Sequence, residues 1–296
     1  MANAWTNWPH RRLCCPTRER SHEHAKPASI QHQTRQQGWQ QGWQQQQQQG
    51  GGMLIVENIS KHFGKVQALN QAGFRAENGR ITGLLGPNGA GKTTALRIIF
   101  GLLKADSGKV TIDGIDPAQD PLAARRQLGI LTDQFGLYER LTTRENLAYF
   151  GQLHRMSAAQ IRQNTEELAA MLGMHEIMER RTAGFSQGQR IKVALARAML
   201  HMPKNVLLDE PTRGLDVMST RAMRSALLAL KARGCCVVFS SHVMQEVSAL
   251  CDDVVVMARG TVVAQGSPQQ LCEQAGKPDL EDAFVSLIGS EEGIVA

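Results

Sequence analysis

From Met53 onward, short apolar runs alternate with segments whose apolar residues recur at helical spacing. The short runs are Met53–Glu57, Gln71–Ala76, Ile81–Leu85, Gly108–Asp113, Leu128–Leu131, Asn205–Leu208, Cys235–Phe239, Val254–Met257 and Thr261–Ala264. With turn signals such as Gly79, Asp113-Gly114 and Arg259-Gly260 between them, they predict strands. Ala95–Phe100 continues a helix that Gly101 ends. Thr143 opens another predicted helix, with Leu147 and Phe150 on its apolar side and Tyr149 at the edge of that face. Ser157 opens the next, carrying Ile161, Leu168, Met171 and Leu172. Ser186 caps a helix in which Ile191, Leu195 and Met199 recur every four residues. Asp216 or Ser219 caps one that runs through Lys231, presents Met223, Leu227 and Leu230, and stops at Gly234. Residues 142–180 are therefore mainly helical and hold no catalytic pattern, and the last 30 residues are helical and amphipathic. Strands interleaved with helices predict an α/β fold.

Composition divides the chain. Residues 1–52 hold all four tryptophans, the glutamine run Gln44–Gln49 and Gly50-Gly51-Gly52, with no apolar period. A polar segment of this kind buries too little to offset its ordering entropy, so it is expected to be a disordered low-complexity tail, with Met53 a candidate start. No continuous apolar stretch in the tail suits a secretory signal, and His22-Glu23-His24 near Cys14-Cys15 is expected to be incidental rather than a metal site. Its six basic and two acidic residues supply most of the net charge of +6. The basic balance is thus poor evidence for nucleic acid as a partner, and none is expected. No run is long and apolar enough to cross a membrane. The six cysteines form no C-x-x-C pair, so free thiols are expected, with Cys235 and Cys236 as packing residues of a buried strand.

The clearest chemistry lies at Gly86-Pro87-Asn88-Gly89-Ala90-Gly91-Lys92-Thr93-Thr94, which fits G-x-x-x-x-G-K-[ST] between a predicted strand and a predicted helix. Backbone N–H groups of such a loop can wrap phosphate oxygens, and the helix N-terminus adds partial positive charge there. Lys92 is placed to reach the β and γ phosphates of a nucleotide and the Thr93 hydroxyl to ligate Mg²⁺. A P-loop NTPase using ATP and Mg²⁺ is the expectation. Asn205–Asp209 is an apolar strand closed by the carboxylates Asp209 and Glu210, and Pro211 stops it. Asp209 suits the Mg²⁺ shell, and Glu210 suits taking a proton from the attacking water.

Three further positions have weaker signals. Thr132-Asp133-Gln134 leaves the Leu128–Leu131 strand where polar side chains could meet the metal or the γ-phosphate water, and His242 leaves the Cys235–Phe239 strand at the same kind of edge. Phe63, 23 residues before Gly86, either stacks on adenine or packs in the core, and spacing leaves both open.

In order, GPNGAGKTT, Asp133-Gln134, Phe185-Ser186-Gln187-Gly188-Gln189, VLLDEP, Gly214-Leu215-Asp216 and Ser240-Ser241-His242 resemble the ATP-binding cassette (ABC) ATPases over roughly residues 54–265. The intervals are 94 residues from Lys92 to Ser186, 23 from there to Asp209 and 33 more to His242. They fit a transporter cassette with a short helical insertion. The resemblance implies a RecA-like core, an N-terminal antiparallel β subdomain and a helical subdomain at about 136–184, within an ATPase domain spanning 53–275 and followed by a helical tail at 276–296. It implies Phe63 at adenine, Gly86 to Thr94 on phosphate, and Lys92, Glu210 and His242 in catalysis. Thr93 and Asp209 would hold Mg²⁺, with Asp133 or Gln134 also at the metal. Ser186, Gly188 and Gln189 would contact ATP held by an opposite subunit, with Asp216 across that interface. The pattern departs from the family at Gln187, where a glycine is usual, and after the Leu128–Leu131 strand, where the expected glutamine aligns better with Asp133 than with Gln134; at Phe63 tyrosine is commoner.

Three segments, Thr132–Tyr138, Gly214–Arg221 and Phe239–Val247, look like the ATPase subunits of bacterial sodium-extruding exporters, the NatA type. That resemblance implies a cassette dimer around ATP, peripheral on the cytoplasmic face of the membrane, driving a separate permease. Export of a drug, haem or lipid, or a soluble regulatory role on ribosomes or nucleic acid, are the alternatives.

Overall fold

The computed structural model describes residues 53–132 and 135–289. The expectations for the tail, including its histidine and cysteine cluster, and for Asp133 and Gln134 lie outside these residues. A three-stranded antiparallel sheet is ordered β2-β1-β4, from β1 (Met53–Phe63), β2 (Val66–Glu77) and β4 (Ser107–Ile112). A six-stranded sheet is ordered β5-β6-β7-β3-β8-β9. It comprises β3 (Ile81–Leu85), β5 (Leu128–Leu131), β6 (Asn205–Asp209), β7 (Cys236–Ser241), β8 (Asp253–Ala258) and β9 (Thr261–Gly266). Its strands pair in parallel except β9, which returns antiparallel along β8.

Strand periodicity explains the layering. Successive side chains of a strand face opposite sides, and here both sides are covered. Ile81 and Leu85, Val206 and Leu208, Val237 and Phe239, and Val254 and Val256 enter one apolar cluster, while Leu84, Leu207, Cys236, Val238 and Val255 enter the other. The second cluster also holds Leu54, Val56 and Phe74 of the antiparallel sheet and Leu96 and Ile99 of helix α1 (Lys92–Ile99). The first holds α3 (Thr143–Leu153), α4 (Ala158–Leu172), α5 (Gln187–Met199) and α6 (Val217–Ala232) through Leu147, Leu168, Leu195 and Leu227. Burial on both faces is why the central strands show unbroken apolar runs rather than alternation.

Local signals set the helix ends. Thr142, Ser157 and Ser186 each cap a helix through a reciprocal box with Glu145, Gln160 and Gln189. Asp216, not Ser219, is the N-cap of α6, accepting from the Ser219 N–H at 2.7 Å. Two short helices carried too little pattern to be predicted: α2 (Pro121–Arg126) and α7 (Met244–Leu250). The first hairpin is longer than its apolar runs, so Lys61, His62 and Phe63 are strand residues and the turn falls at Gly64-Lys65. At the far end, α8 (Pro268–Ala275) and α9 (Leu280–Ile288) bury Leu271, Leu280 and Phe284 in the first cluster. Among the described residues no helix is long and apolar enough to cross a membrane, and Cys235, Cys236, Cys251 and Cys272 are free thiols.

A histidine pair joins the α3 end to the core. The rings of His154 and His201 stack at 3.9 Å and 8°. The His201 Nε2–H donates to the Leu128 carbonyl at 3.1 Å, while its Nδ1 is buried without a hydrogen-bond partner. Burial pushes the His201 pKa down to about 4 from an ordinary 6.5, His154 adds to the fall, and the Leu128 bond opposes it. An unfolded His201 takes up a proton below about 6.5 and the folded one only near 4, so its contribution to stability is lost as pH falls through that window. His201→Gln is therefore expected to unfold more easily than wild type at pH 7, with the gap in melting temperature narrowing steadily towards pH 4.

Candidate active site

Parallel pairing brings the candidate residues to one edge. Leu85 lies opposite Ser241, and Ser240 lies opposite both Leu84 and Asp209. The loop leaving β3, the acids closing β6 and the Ser240-Ser241-His242 segment closing β7 therefore meet at the carboxyl ends of their strands, where open α/β sheets bind ligands.

The phosphate loop runs from Gly86 into α1. Gly91 is the N-cap in the left-handed region, at φ 98°, and a Cβ there would come within 2.7 Å of the Ala68 carbonyl oxygen and of Leu69 Cδ2. Only glycine meets both conditions. Lys92 is buried, and its Nζ donates to the carbonyls of Gly86 at 2.6 Å and Pro87 at 3.1 Å. Burial lowers its pKa, and the nearby Glu210 and Asp209 oppose that fall. An ammonium is thus folded onto the loop that would carry phosphate.

The acids form a connected network. Asp209 is buried, and its Oδ1 accepts from the Ser240 hydroxyl at 2.6 Å and from the Thr93 hydroxyl at 3.3 Å. Ser240 Oγ in turn accepts from the Glu210 N–H at 2.9 Å. Glu210 has φ 50°, a left-handed conformation that costs a non-glycine residue about 1 kcal/mol or more. Its Oε2 lies 2.8 Å from His242 Nδ1. Since a carboxylate accepts, Nδ1 carries the proton, and Nε2 is left for another partner. Thr93 and Asp209 are hard oxygen donors of the kind Mg²⁺ takes alongside substrate phosphates. Among the described residues no group of three or more His, Cys, Asp and Glu side chains that could hold a metal ion occurs. Sequence reasoning misses Ser240 as a site residue. The run CVVFSS signals only a strand end, and the bond to Asp209 depends on register with β6.

Two further predicted groups lie outside this hydrogen-bonded network. Phe63, at the tip of β1, is 50% exposed with the Lys61 ammonium 5.9 Å from its ring centre, which excludes the core-packing alternative. Ser186 and Gln189 are bonded to each other in the capping box, and no described hydrogen bond joins Ser186, Gly188 or Gln189 to the phosphate loop. They abut the turn after β6 and the start of α6 instead. Gln187 Nε2 is 3.5 Å from the Arg213 carbonyl, and a Cβ on Gly188 would collide with Ser219 Oγ.

Residues 69–213 match the family described as ABC transporter. The ABC transporter ATP-binding protein NatA of Bacillus subtilis (strain 168) is 42% identical over 239 residues, covering 79% of this chain and 97% of that protein. The chain belongs to the ABC transporter ATPases. Linearmycin resistance ATP-binding protein LnrL from the same strain is 33% identical over 79% of this chain and 75% of its own length. A bacterial ABC transporter cassette solved as a dimer shares the fold with a TM-score of 0.66 at 27% identity, covering 73% of this chain and 98% of that one. As an ABC ATPase, the protein binds ATP and hydrolyses it in a cycle coupled to transmembrane transport. The antiparallel sheet and the mixed six-stranded sheet are the two β parts of the cassette fold.

Gly188→Ala should destabilise this ABC ATPase by about 1 to 3 kcal/mol, the usual penalty for overpacking. Adding Ser219→Ala should recover part of that loss, because it removes the oxygen that the new Cβ strikes. Urea denaturation of the single and double variants measures both.

Proposed function

We propose that the chain is the motor of an exporter: two cassettes close around two ATP molecules, hydrolysis reopens them, and a separate membrane permease converts the cycle into outward transport. The observation that carries the ATPase chemistry is the His242–Glu210 contact set beside the Asp209, Ser240 and Thr93 network. In this reading Glu210 takes the proton of the attacking water, and His242, oriented through Nδ1, presents Nε2 towards the γ-phosphate. Lys92 exchanges its loop carbonyls for phosphate oxygens. Thr93 and Asp209 would hold Mg²⁺, which when bound would supply charge neutralisation on the phosphates. Phe63 offers its exposed face to adenine. The incomplete site supports the dimer: Ser186, Gly188 and Gln189 sit at a helix N-terminus with no described bond to the phosphate loop of their own chain, so they suit the ATP of a second copy. The relative solved as a dimer points the same way.

The cargo we propose is sodium ion, on the likeness of three segments to sodium-extruding exporters and on the 42% identity that spans 97% of NatA. Export of a drug-like or lipid-like molecule is the second reading, favoured by the relative named for linearmycin resistance. Either way the chain is placed on the cytoplasmic face by its permease rather than by a span of its own. An integral membrane protein copurifying with the chain supports transport; ribosomes copurifying instead would support the regulatory alternative.

Glu210→Gln is expected to bind ATP as wild type does while steady-state turnover falls at least about a hundredfold, the usual scale for losing a general base. Hydrolysis near the wild-type rate would remove Glu210 from that role. Lys92→Ala should instead weaken nucleotide binding itself, which equilibrium dialysis reads directly.

Coupling to the permease is proposed through residues 138–141. Tyr138 and Tyr149 are exposed and meet edge to face at 5.1 Å, and Tyr138 stacks on Phe150 at 6.0 Å. Asn146, buried in α3, receives the Tyr138 N–H and donates to the carbonyls of Tyr138 and Leu141. The segment after the β5 loop is thereby fixed to the helical insertion, with an aromatic face left outward. Replacing Tyr138 and Leu141 with alanine should cut export in cells and leave basal ATPase nearly unchanged. A parallel fall in both would assign the segment to catalysis.

A further inference from the structure

Glu246 is a carboxylate at 6% exposure in the short helix α7, and hydrolysis through Glu210 and His242 leaves it without a task. Burying a carboxylate is costly unless it is well bonded. Its Oε2 accepts from the Thr212 hydroxyl at 2.6 Å, the short distance of a charge-assisted bond. The positions of the two partners are informative. Thr212 lies two residues after Glu210, and Glu246 four residues after His242. Among the described residues, the segments leaving β6 and β7 are therefore joined by the half-exposed His242–Glu210 contact and again by this partly buried bond.

The segment carrying Glu210 needs such a hold. Glu210 sits at φ 50°, and conformations of that kind persist only where the surroundings over-determine them. Pro211 fixes its own φ, the Arg213 N–H donates to the Glu210 carbonyl at 3.1 Å, and the Leu215 N–H donates to the Thr212 carbonyl at 3.1 Å. These bonds shape the turn internally, and the Glu210 N–H bond to Ser240 Oγ ties its start to β7, but none of them sets the turn's placement against α7. The Thr212–Glu246 bond supplies that placement. We propose that Thr212 and Glu246 are positioning residues for ATP hydrolysis, a partly buried tether that keeps the Glu210 carboxylate and the His242 imidazole in register. The inference rests on the reading of Glu210 as the base and adds what holds it.

The test compares full-length variants by steady-state ATPase and by equilibrium dialysis with ATP. Thr212→Val keeps the shape and removes the hydroxyl. It should lower kcat about tenfold or more, in line with the cost of misplacing a catalytic group, while KM and the ATP affinity stay within about twofold. Thr212→Ser should restore kcat to within about threefold of wild type. Wild-type kcat in Thr212→Val, or equal losses in the Val and Ser variants, would overturn the tether. Should Thr212→Val fail to fold, Glu246→Gln and Glu246→Ala decide together: Ala, which removes the acceptor, should lower kcat about tenfold or more, and Gln, which keeps a weaker oxygen acceptor, should retain clearly more of it. Equal kcat in the two variants, whether both near wild type or both low, would overturn the tether too. Glu210→Gln in the same assay separates the two ideas. If it is inactive while Thr212→Val is normal, only the tether falls; if it hydrolyses ATP, the base assignment falls.

Discussion

Parallel register among β6, β7 and β3 is the constraint on which the rest of this molecule depends. Asp209 faces Ser240 across one strand pair, and Leu85 faces Ser241 across the next, so the phosphate loop, the acid pair and the histidine reach the same edge together. A slip by one residue would turn each strand's side chains to the opposite face. It would also part Ser240 from Asp209, leaving a buried carboxylate without that bond. Apolar burial and polar satisfaction thus select the same register. The Ile81 N–H reinforces it at the start of β3, donating to Asp252 Oδ2 at 2.9 Å, while Lys231 holds the other oxygen of that carboxylate at 2.6 Å.

The edge so formed is strained and charged in a way that suits turnover rather than stability. Lys92 is buried with its ammonium on two carbonyls, Asp209 is buried beside two hydroxyls, and Glu210 is held in a left-handed conformation. Each feature costs free energy that the apolar clusters on both sides of the sheet must offset. What the arrangement gains is a fixed position for the acids and the histidine, which hold one another in place, while the Lys92 ammonium is held in reserve on its own loop.

Much of this was legible in the sequence because local rules governed it. The phosphate loop, the acids after an apolar run, and the caps at Ser157 and Ser186 follow from short-range patterns, and each strand predicted from an apolar run is present. What stayed hidden was set at long range. Ser240 meets Asp209 across 31 residues and Thr212 meets Glu246 across 34, and no periodicity announces either pair. Phe63 is half exposed because the hairpin runs further than its apolar residues, held by pairing such as His62 with Gln67. Helices α2 and α7 span only six and seven residues, too short for an apolar face to repeat.

The departures from the family pattern have the same physical basis. Gln187 stands where a glycine is usual, yet it is exposed, and its side chain runs out to the Arg213 carbonyl without meeting the core. Its neighbour Gly188 is buried against Ser219 of α6, where a side chain would collide. Tolerance at one position and strictness at the next follow from which way each Cβ points as the chain enters α5. The glycine that is kept lets α5 and α6 approach at their N-termini, so the Ser186 and Asp216 caps are presented on neighbouring helix ends. Losing the first glycine leaves that approach intact, whereas losing the second would push the two helix ends apart.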